Sequence, residues 1–184
     1  MSSFQTLIQN RQSVRRYANI PVEPEKLELC LEAARMAPSA SNSQPWSFIV
    51  TQQDPLRTEL ARATYTDIWL INRFTVQAPV IITIIIEKPR LINRIAMQVK
   101  KKEWPLIDIG IAAEHICLQA AELGLGTCML GWYDEEKVKS LLSIPAQKSV
   151  GLMLTLGYPA ENYPLRTKIR KTMDEIVHRE KYCT

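Results

Sequence analysis

Two segments of this chain concentrate side chains suited to anions and flat polar rings. The first is Arg11-Gln12-Ser13-Val14-Arg15-Arg16. Arginine presents a rigid fork of donors matched to phosphate oxygens, and a serine hydroxyl adds a short-range donor. Arg11, Ser13 and Arg15, with Gln12 between them, could therefore hold a mononucleotide phosphate and its sugar chain from a compact turn. The second segment is Ala37-Pro38-Ser39-Ala40-Ser41-Asn42-Ser43-Gln44-Pro45-Trp46. Its amides and hydroxyls both donate and accept, as the edge of an isoalloxazine or a nucleobase requires. Each segment taken alone has a plainer explanation. Arginines beside a helix are commonly just solvated, and runs of Ser and Asn commonly end helices.

The elements that must position these residues follow from spacing. Residues 4–10 place Phe4, Leu7 and Ile8 at helical intervals, and Pro24 starts a second helix to about residue 37, stopped before Pro38. Residues 46–51 read as a short strand, and Asp54-Pro55 opens an amphipathic helix to about residue 63. Ala78-Pro79 introduces an apolar strand over 80–86, followed by an irregular or helical stretch to Pro105. Asp108 is the expected N-cap of a helix reaching residue 123, with Gly124 as its left-handed C-terminal residue. Apolar residues from Ile109 to Leu123 spread around most of that helix, so it is buried centrally or by another subunit. Residues 126–132 read as a strand, Asp134 caps a helix to about residue 142, and 149–156 form a further apolar strand. The class is α/β or α+β, with a sheet of about four or five strands flanked by helices.

Composition narrows the function classes. A chain of 184 residues with 46% hydrophobic content suits one compact domain. The apolar run over 80–86 is far shorter than the roughly 20 residues that span a bilayer. The opening residues lack a secretory pattern, which implies a cytoplasmic protein. Cys30, Cys117, Cys128 and Cys183 form no C-x-x-C pair, and His115 and His178 are the only histidines; this argues against zinc and for silent thiols. The net charge of +4 gathers in Lys100-Lys101-Lys102 and in the basic run from Arg166 to Lys171, which suits local anion sites rather than a nucleic-acid surface.

Read in order, these blocks resemble the nitroreductase family of FMN-dependent oxidoreductases. The family pattern R-x-S-x-R followed by P-S-x-x-N-x-Q-P-W is intact at Arg11 to Arg15 and at Pro38 to Trp46. The resemblance continues through Gly124-Leu125-Gly126-Thr127, Met129-Leu130-Gly131-Trp132, Leu156-Gly157-Tyr158-Pro159 and the basic pair Lys168 and Arg170.

The resemblance implies an α+β (α/β/α) nitroreductase-like fold, with a mixed central sheet and a long buried helix at a homodimer interface. It implies FMN bound between subunits. Arg11, Gln12, Ser13 and Arg15 would approach phosphate, ribityl and ring edge from one chain, and Pro38, Ser39, Ser41, Asn42 and Gln44 from the other. Leu130 and Gly131 match backbone near flavin N5, and Lys168 and Arg170 match a phosphate-binding pair. NADH or NADPH would donate hydride, and an electron-poor small molecule would accept it in a ping-pong cycle, with no protein nucleophile needed. Leu130 stands where several nitroaromatic-reducing relatives carry an acidic residue. The excursion before the buried helix is short, leaving residues 90–105 to gate the site, and Trp104 reads as a core anchor. His115 reads as a hydrogen-bonded core or interface histidine. A dedicated-metabolite flavin dehydrogenase and a non-catalytic FMN-binding protein use the same motifs.

Overall fold

The computed structural model describes residues 3–66, 71–88 and 102–182. Most of the gating stretch, Lys100, Lys101 and Cys183 lie outside the described residues. In chain order the elements are α1 (Ser3–Asn10), α2 (Pro24–Arg35), β1 (Trp46–Thr51), α3 (Leu56–Arg62), β2 (Val80–Ile86), α4 (Trp104–Glu122), β3 (Gly126–Leu130), α5 (Glu135–Leu141), β4 (Ser149–Gly157) and α6 (Met173–Ile176). Short 3-10 turns occupy Ala40–Asn42 and Arg73–Gln77.

Local chemistry accounts for several boundaries. Pro24 sits in the first turn of α2, where its missing N–H costs nothing. The Asp134 carboxylate accepts the Lys137 N–H at 3.0 Å and starts α5. Gly124, at φ +75°, reverses the chain between α4 and β3.

The start of α4 differs from expectation. It begins at Trp104, because Pro105 fits the first helical turn. Asp108 is consequently an interior residue of the helix and not its N-cap.

The described strands form a four-stranded sheet in the order β1-β2-β4-β3. Every pair is antiparallel, which corrects the expectation of a mixed sheet. A parallel relation occurs at one isolated bridge, Ser13 to Thr127, beside β3. Adjacent strands in the order are joined by hydrogen bonds whatever their separation along the chain, so β2 finds partners on both sides.

Side-chain alternation along β2 sorts the two cores. Val80, Ile82 and Ile84 meet Leu27, Cys30 and Ala34 of α2 and Ile109, Ala112, Ala113 and Ile116 of α4. Ile81 and Ile85 point the other way, into a core with Leu60 and Ala61 of α3 and Val138 of α5. The result is helices, sheet, helices. A strand covered on both faces must be apolar at every position but the few that carry polar groups, which is why β2 reads as an unbroken hydrophobic run.

Burial silences the described thiols. It pushes Cys30 up to about 11 and Cys117 up to about 12, and raises Cys128 as well. All three stay protonated near neutral pH. His115 Nδ1 lies 3.0 Å from the Ala33 carbonyl and ties α4 to α2, in keeping with a structural histidine.

Thr83 is fully buried at the middle of β2, and its hydroxyl has no partner among the described residues. An unsatisfied buried hydroxyl costs roughly 1–3 kcal/mol, and valine has nearly the same shape. Thr83→Val is expected to stabilise the protein by about 1 kcal/mol, measured as a higher midpoint at unchanged slope in denaturant unfolding.

Candidate functional site

The Arg11 to Arg15 segment is an extended ribbon laid against the sheet edge, not the compact turn expected. The Val14 N–H donates to the Thr127 carbonyl at 2.8 Å, so the ribbon continues the hydrogen bonding beyond β3. Further along, the Ala18 N–H donates to the Tyr158 carbonyl and Tyr17 bridges to Pro159. The buried Tyr17 hydroxyl donates to the Val14 carbonyl at 2.9 Å and lies 2.7 Å from Thr155 Oγ1.

Close approach requires glycine here. A Cβ on Gly126 would lie 2.4 Å from Val14 Cγ2 and 2.7 Å from Val14 Cβ. One on Gly157 would lie 2.5 Å from Pro79 Cδ. Gly126 is thus a packing requirement of the ribbon, whereas Gly124 two residues earlier serves the left-handed turn and has open space where a Cβ would stand.

The segment after β4 clasps the ribbon from outside. Gln12 Nε2 donates to the Pro164 carbonyl, and Gln12 Oε1 accepts the Arg166 N–H, each at 3.0 Å. Gln12 is therefore a fastener between two stretches of chain. The Tyr163 hydroxyl accepts the Arg15 N–H at 3.0 Å and an Arg166 Nη2 proton at 2.7 Å. It donates more weakly to the Ser13 carbonyl at 3.4 Å. The guanidinium groups of Arg16 and Arg166 each sit 5.7 Å from the Tyr163 ring centroid. Arg166 opens the basic run that the sequence marks as an anion site, whereas Tyr163 had no motif to reveal it, since its partners are distant in sequence.

The resulting cluster is short of negative charge. Arg11 Nε lies 3.1 Å from Glu114 Oε1 of α4. This buried Nε nonetheless makes no directed hydrogen bond to any described residue, so the contact is attraction without a bond. Lys168 donates to the Arg11 carbonyl. Its ammonium is held below the ordinary lysine value by desolvation first, then by the neighbouring Arg11 and Arg170 charges. Arg15 and Arg166 also lie near enough to Cys128 to favour its thiolate against burial. Arg170 is exposed and donates to its neighbour's carbonyl at 2.7 Å. An under-neutralised cation cluster with an undirected buried donor is the arrangement an anion completes.

The loop over 38–44 is held separately. Ser39 Oγ accepts the Gln44 N–H at 2.9 Å, and Gln44 Nε2 donates to Asn42 Oδ1 at 3.0 Å. Ser41, Asn42 and Gln44 all adopt left-handed φ, at 52°, 50° and 47°. Such strain in non-glycine residues gathers at functional sites. Pro38 is exposed at its start. The loop meets α4 at Asp108, whose carboxylate accepts the Ala40 N–H, whereas Arg11 meets α4 at Glu114. Those positions are roughly 9 Å apart along the axis and roughly 120° apart around it. The two segments of one chain thus approach different faces of the same helix.

Leu130 ends β3 fully buried, and Gly131 after it is exposed. Trp132 and Tyr133 follow, lining a cleft of about 310 Å³ with Arg62, Tyr65 and Lys137. The Tyr133 hydroxyl donates to the Val150 carbonyl at 2.8 Å, which gives it a packing role. Asn72, buried, donates to the Thr64 and Trp132 carbonyls, so it braces this corner. No group of metal-ligating side chains occurs among the described residues.

The model of the Nitroreductase family matches residues 8–158. The chain belongs to the nitroreductase family. The match contains the Arg11 ribbon, the 38–44 loop and the end of β3, while Lys168 and Arg170 lie beyond it. A putative NADH dehydrogenase/NAD(P)H nitroreductase from Archaeoglobus fulgidus is 29% identical over 180 residues, covering 96% of this chain and 97% of that protein. An FMN-dependent nitroreductase from Clostridium difficile superposes with a TM-score of 0.75 at 29% identity, covering 96% and 98% of the two chains. A putative NADH oxidase from Clostridium acetobutylicum superposes at 0.77 with 30% identity, covering 96% and 99%. The nitroreductase fold expected from the motifs is therefore the fold found.

The seat of the ribbon on Gly126 gives a direct test. Gly126→Ala forces Val14 away from β3, since the clash reaches Val14 Cβ and not only a mobile tip. Overpacking of this kind costs roughly 1–3 kcal/mol, and a lower thermal midpoint in scanning calorimetry is the expected result.

Proposed function

We propose that the chain is an FMN-dependent oxidoreductase that takes reducing equivalents from NADH or NADPH and passes them to an electron-poor small molecule. Nitroaromatics, quinones and free flavin are the acceptor classes this reading covers. The observation that carries it is the under-neutralised cluster around Arg11, with a buried Nε lacking a directed bond and a lysine whose charge is disfavoured by desolvation first and then by its cationic neighbours.

The residues fit a flavin mononucleotide. Arg11, Lys168 and Arg170 would neutralise its phosphate, Ser13 would meet the ribityl chain, and Arg15 would stand at the pyrimidine edge. Gln12 supports this set by holding the ribbon. Pro38, Ser39, Ser41, Asn42 and Gln44 would reach the ring from the partner subunit, and Leu130 and Gly131 would present backbone to its central part. FMN, when bound, supplies the two-electron carrier that the side chains of this protein lack. A fixed guanidinium at the pyrimidine edge favours electron uptake there, because the negative charge that develops is met without solvent reorganisation.

A homodimer is part of the proposal. The two segments meet α4 on different faces, which lets one flavin take its anchors from one copy and its loop from the other. Leu106 and Ile107 on α4 are exposed, as are Leu165, Ile169, Met173 and Ile176 after β4. A second copy covering these residues would remove apolar surface from water. The whole chain acts as one FMN-binding domain in this reading, in the cytoplasm, with no role for nucleic acid or a membrane. No helix among the described residues is long and apolar enough to cross a bilayer.

Purified protein is expected to carry a flavin band near about 450 nm. NADH or NADPH under anaerobic conditions should bleach it within seconds, and a quinone or nitroaromatic should restore it. A bound flavin that neither donor reduces would replace the enzyme reading with a non-catalytic one. Arg11→Ala combined with Arg170→Ala removes two charge-assisted contacts, each worth roughly 1.5–3 kcal/mol. The double variant should bind FMN about a hundredfold more weakly in fluorescence titration while its circular dichroism stays unchanged.

A further inference from the structure

Asp108 is a carboxylate in the interior of α4 with 5% of its surface exposed. It is bracketed by the buried residues Pro105, Ile109 and Ala112. Burying an acidic group among apolar neighbours is unfavourable unless directed donors compensate it. The donor found is the backbone N–H of Ala40, 3.1 Å from Oδ1 and 3.3 Å from Oδ2. Ala40 is the first residue of the 3-10 turn Ala40–Asn42.

That turn closes on the Asn42 N–H to Ser39 carbonyl bond at 2.9 Å and the Ser43 N–H to Ala40 carbonyl bond at 3.0 Å, yet its geometry is unfavourable. Ser41 and Asn42 lie in the left-handed region, with Gln44 joining them two residues on. Inside the loop, Ser39 and Gln44 close a small ring of hydrogen bonds. From the rest of the fold, Asp108 reaches in and grips the turn at its first amide. A charged acceptor on a rigid helix is well suited to this, since its place is set by packing and not by the loop.

We infer that Asp108 is a positioning residue for the cofactor-facing loop. It acts through Ala40 to hold Ser41 and Asn42 in their strained conformation. Because the loop and the Arg11 cluster meet α4 on different faces, Asp108 of one subunit governs the flavin bound to the anchors of the other. This inference rests on the FMN reading above.

Apoprotein refilled with FMN tests it, with binding followed by quenching of flavin fluorescence. Asp108→Ala is expected to weaken binding about tenfold, the usual effect of losing a hydrogen bond to a charged group, and to alter the shape of the bound flavin band. Asp108→Asn keeps an acceptor for the Ala40 N–H and should restore affinity to within about threefold of the parent. In an Asn42→Ala background, Asp108→Ala should cost no more than about twofold, because the loop contact it protects is gone. Should Asp108→Ala fail to fold, Asp108→Ser carries the same expectations.

Mixed dimers separate the subunits. One subunit carries Asp108→Ala and the other Arg11→Ala with Arg170→Ala. One site then combines intact anchors with an intact loop, and the dimer should hold one FMN at parental affinity. Equal costs of Asp108→Ala in the parent and in the Asn42→Ala background, or unchanged FMN affinity and spectrum in Asp108→Ala, would overturn the positioning role. Mixed dimers with no site of parental affinity would overturn its action across the interface. A parent protein that takes up no FMN would instead overturn the proposed function, and that result is visible before any variant is made.

Discussion

The fold depends on β2 being covered on both faces. A strand at the centre of an antiparallel sheet, with Val80, Ile82 and Ile84 on one side and Ile81 and Ile85 on the other, cannot leave either side to water. Burial of such side chains contributes roughly 1.5–3 kcal/mol each, so the sheet must recruit a helical layer for each face. The layer of α2 and α4 and the layer of α3 and α5 are the answer. Once α4 is pinned by Ile109, Ala112, Ala113 and Ile116, the positions of Asp108 at the margin of that buried face and of Glu114 away from it follow from helix geometry alone. Those two carboxylates are where the Arg11 ribbon and the 38–44 loop attach.

The electrostatics of the cation cluster work against the fold. Arg11, Arg15, Arg166, Lys168 and Arg170 converge at the sheet edge, and Glu114 is the acid placed directly against Arg11. Desolvation and mutual repulsion disfavour the Lys168 charge. Exposed ion pairs contribute little, so the cluster is poorly explained as a stabilising device. An anion that bridges these groups relieves the repulsion and gains directed bonds at the same moment.

Much of the layout is legible in the residues, and the exceptions have physical causes. The continuous apolar run of β2, the Asp134 cap of α5 and the left-handed Gly124 are local signals, and each element falls within a residue or two of its expected place. The start of α4 does not, because Asp108 before an apolar run looks like a cap while Pro105 can occupy a first turn equally well. The Arg11 ribbon looks like a turn because its hydrogen-bond partner, Thr127, is far along the chain. Tyr163 shows the same limit. Its hydroxyl organises Arg15, Ser13 and Arg166, but nothing in its neighbourhood of sequence distinguishes it from any other tyrosine. The strand directions are also nonlocal, which is why the sheet proved antiparallel instead of mixed.

The contact between Lys168 and the Arg11 carbonyl spans 157 residues, and the Gln12 clasp spans 152 and 154. During synthesis the ribbon emerges well before its clasp, which follows β4. The sheet, the two helical layers and the seat on Gly126 can all form in the interval, yet the ribbon stays without its outer strap. Closure of the ribbon therefore waits for translation of the segment after β4, and a chain truncated within that segment would fold around a ribbon it cannot strap down.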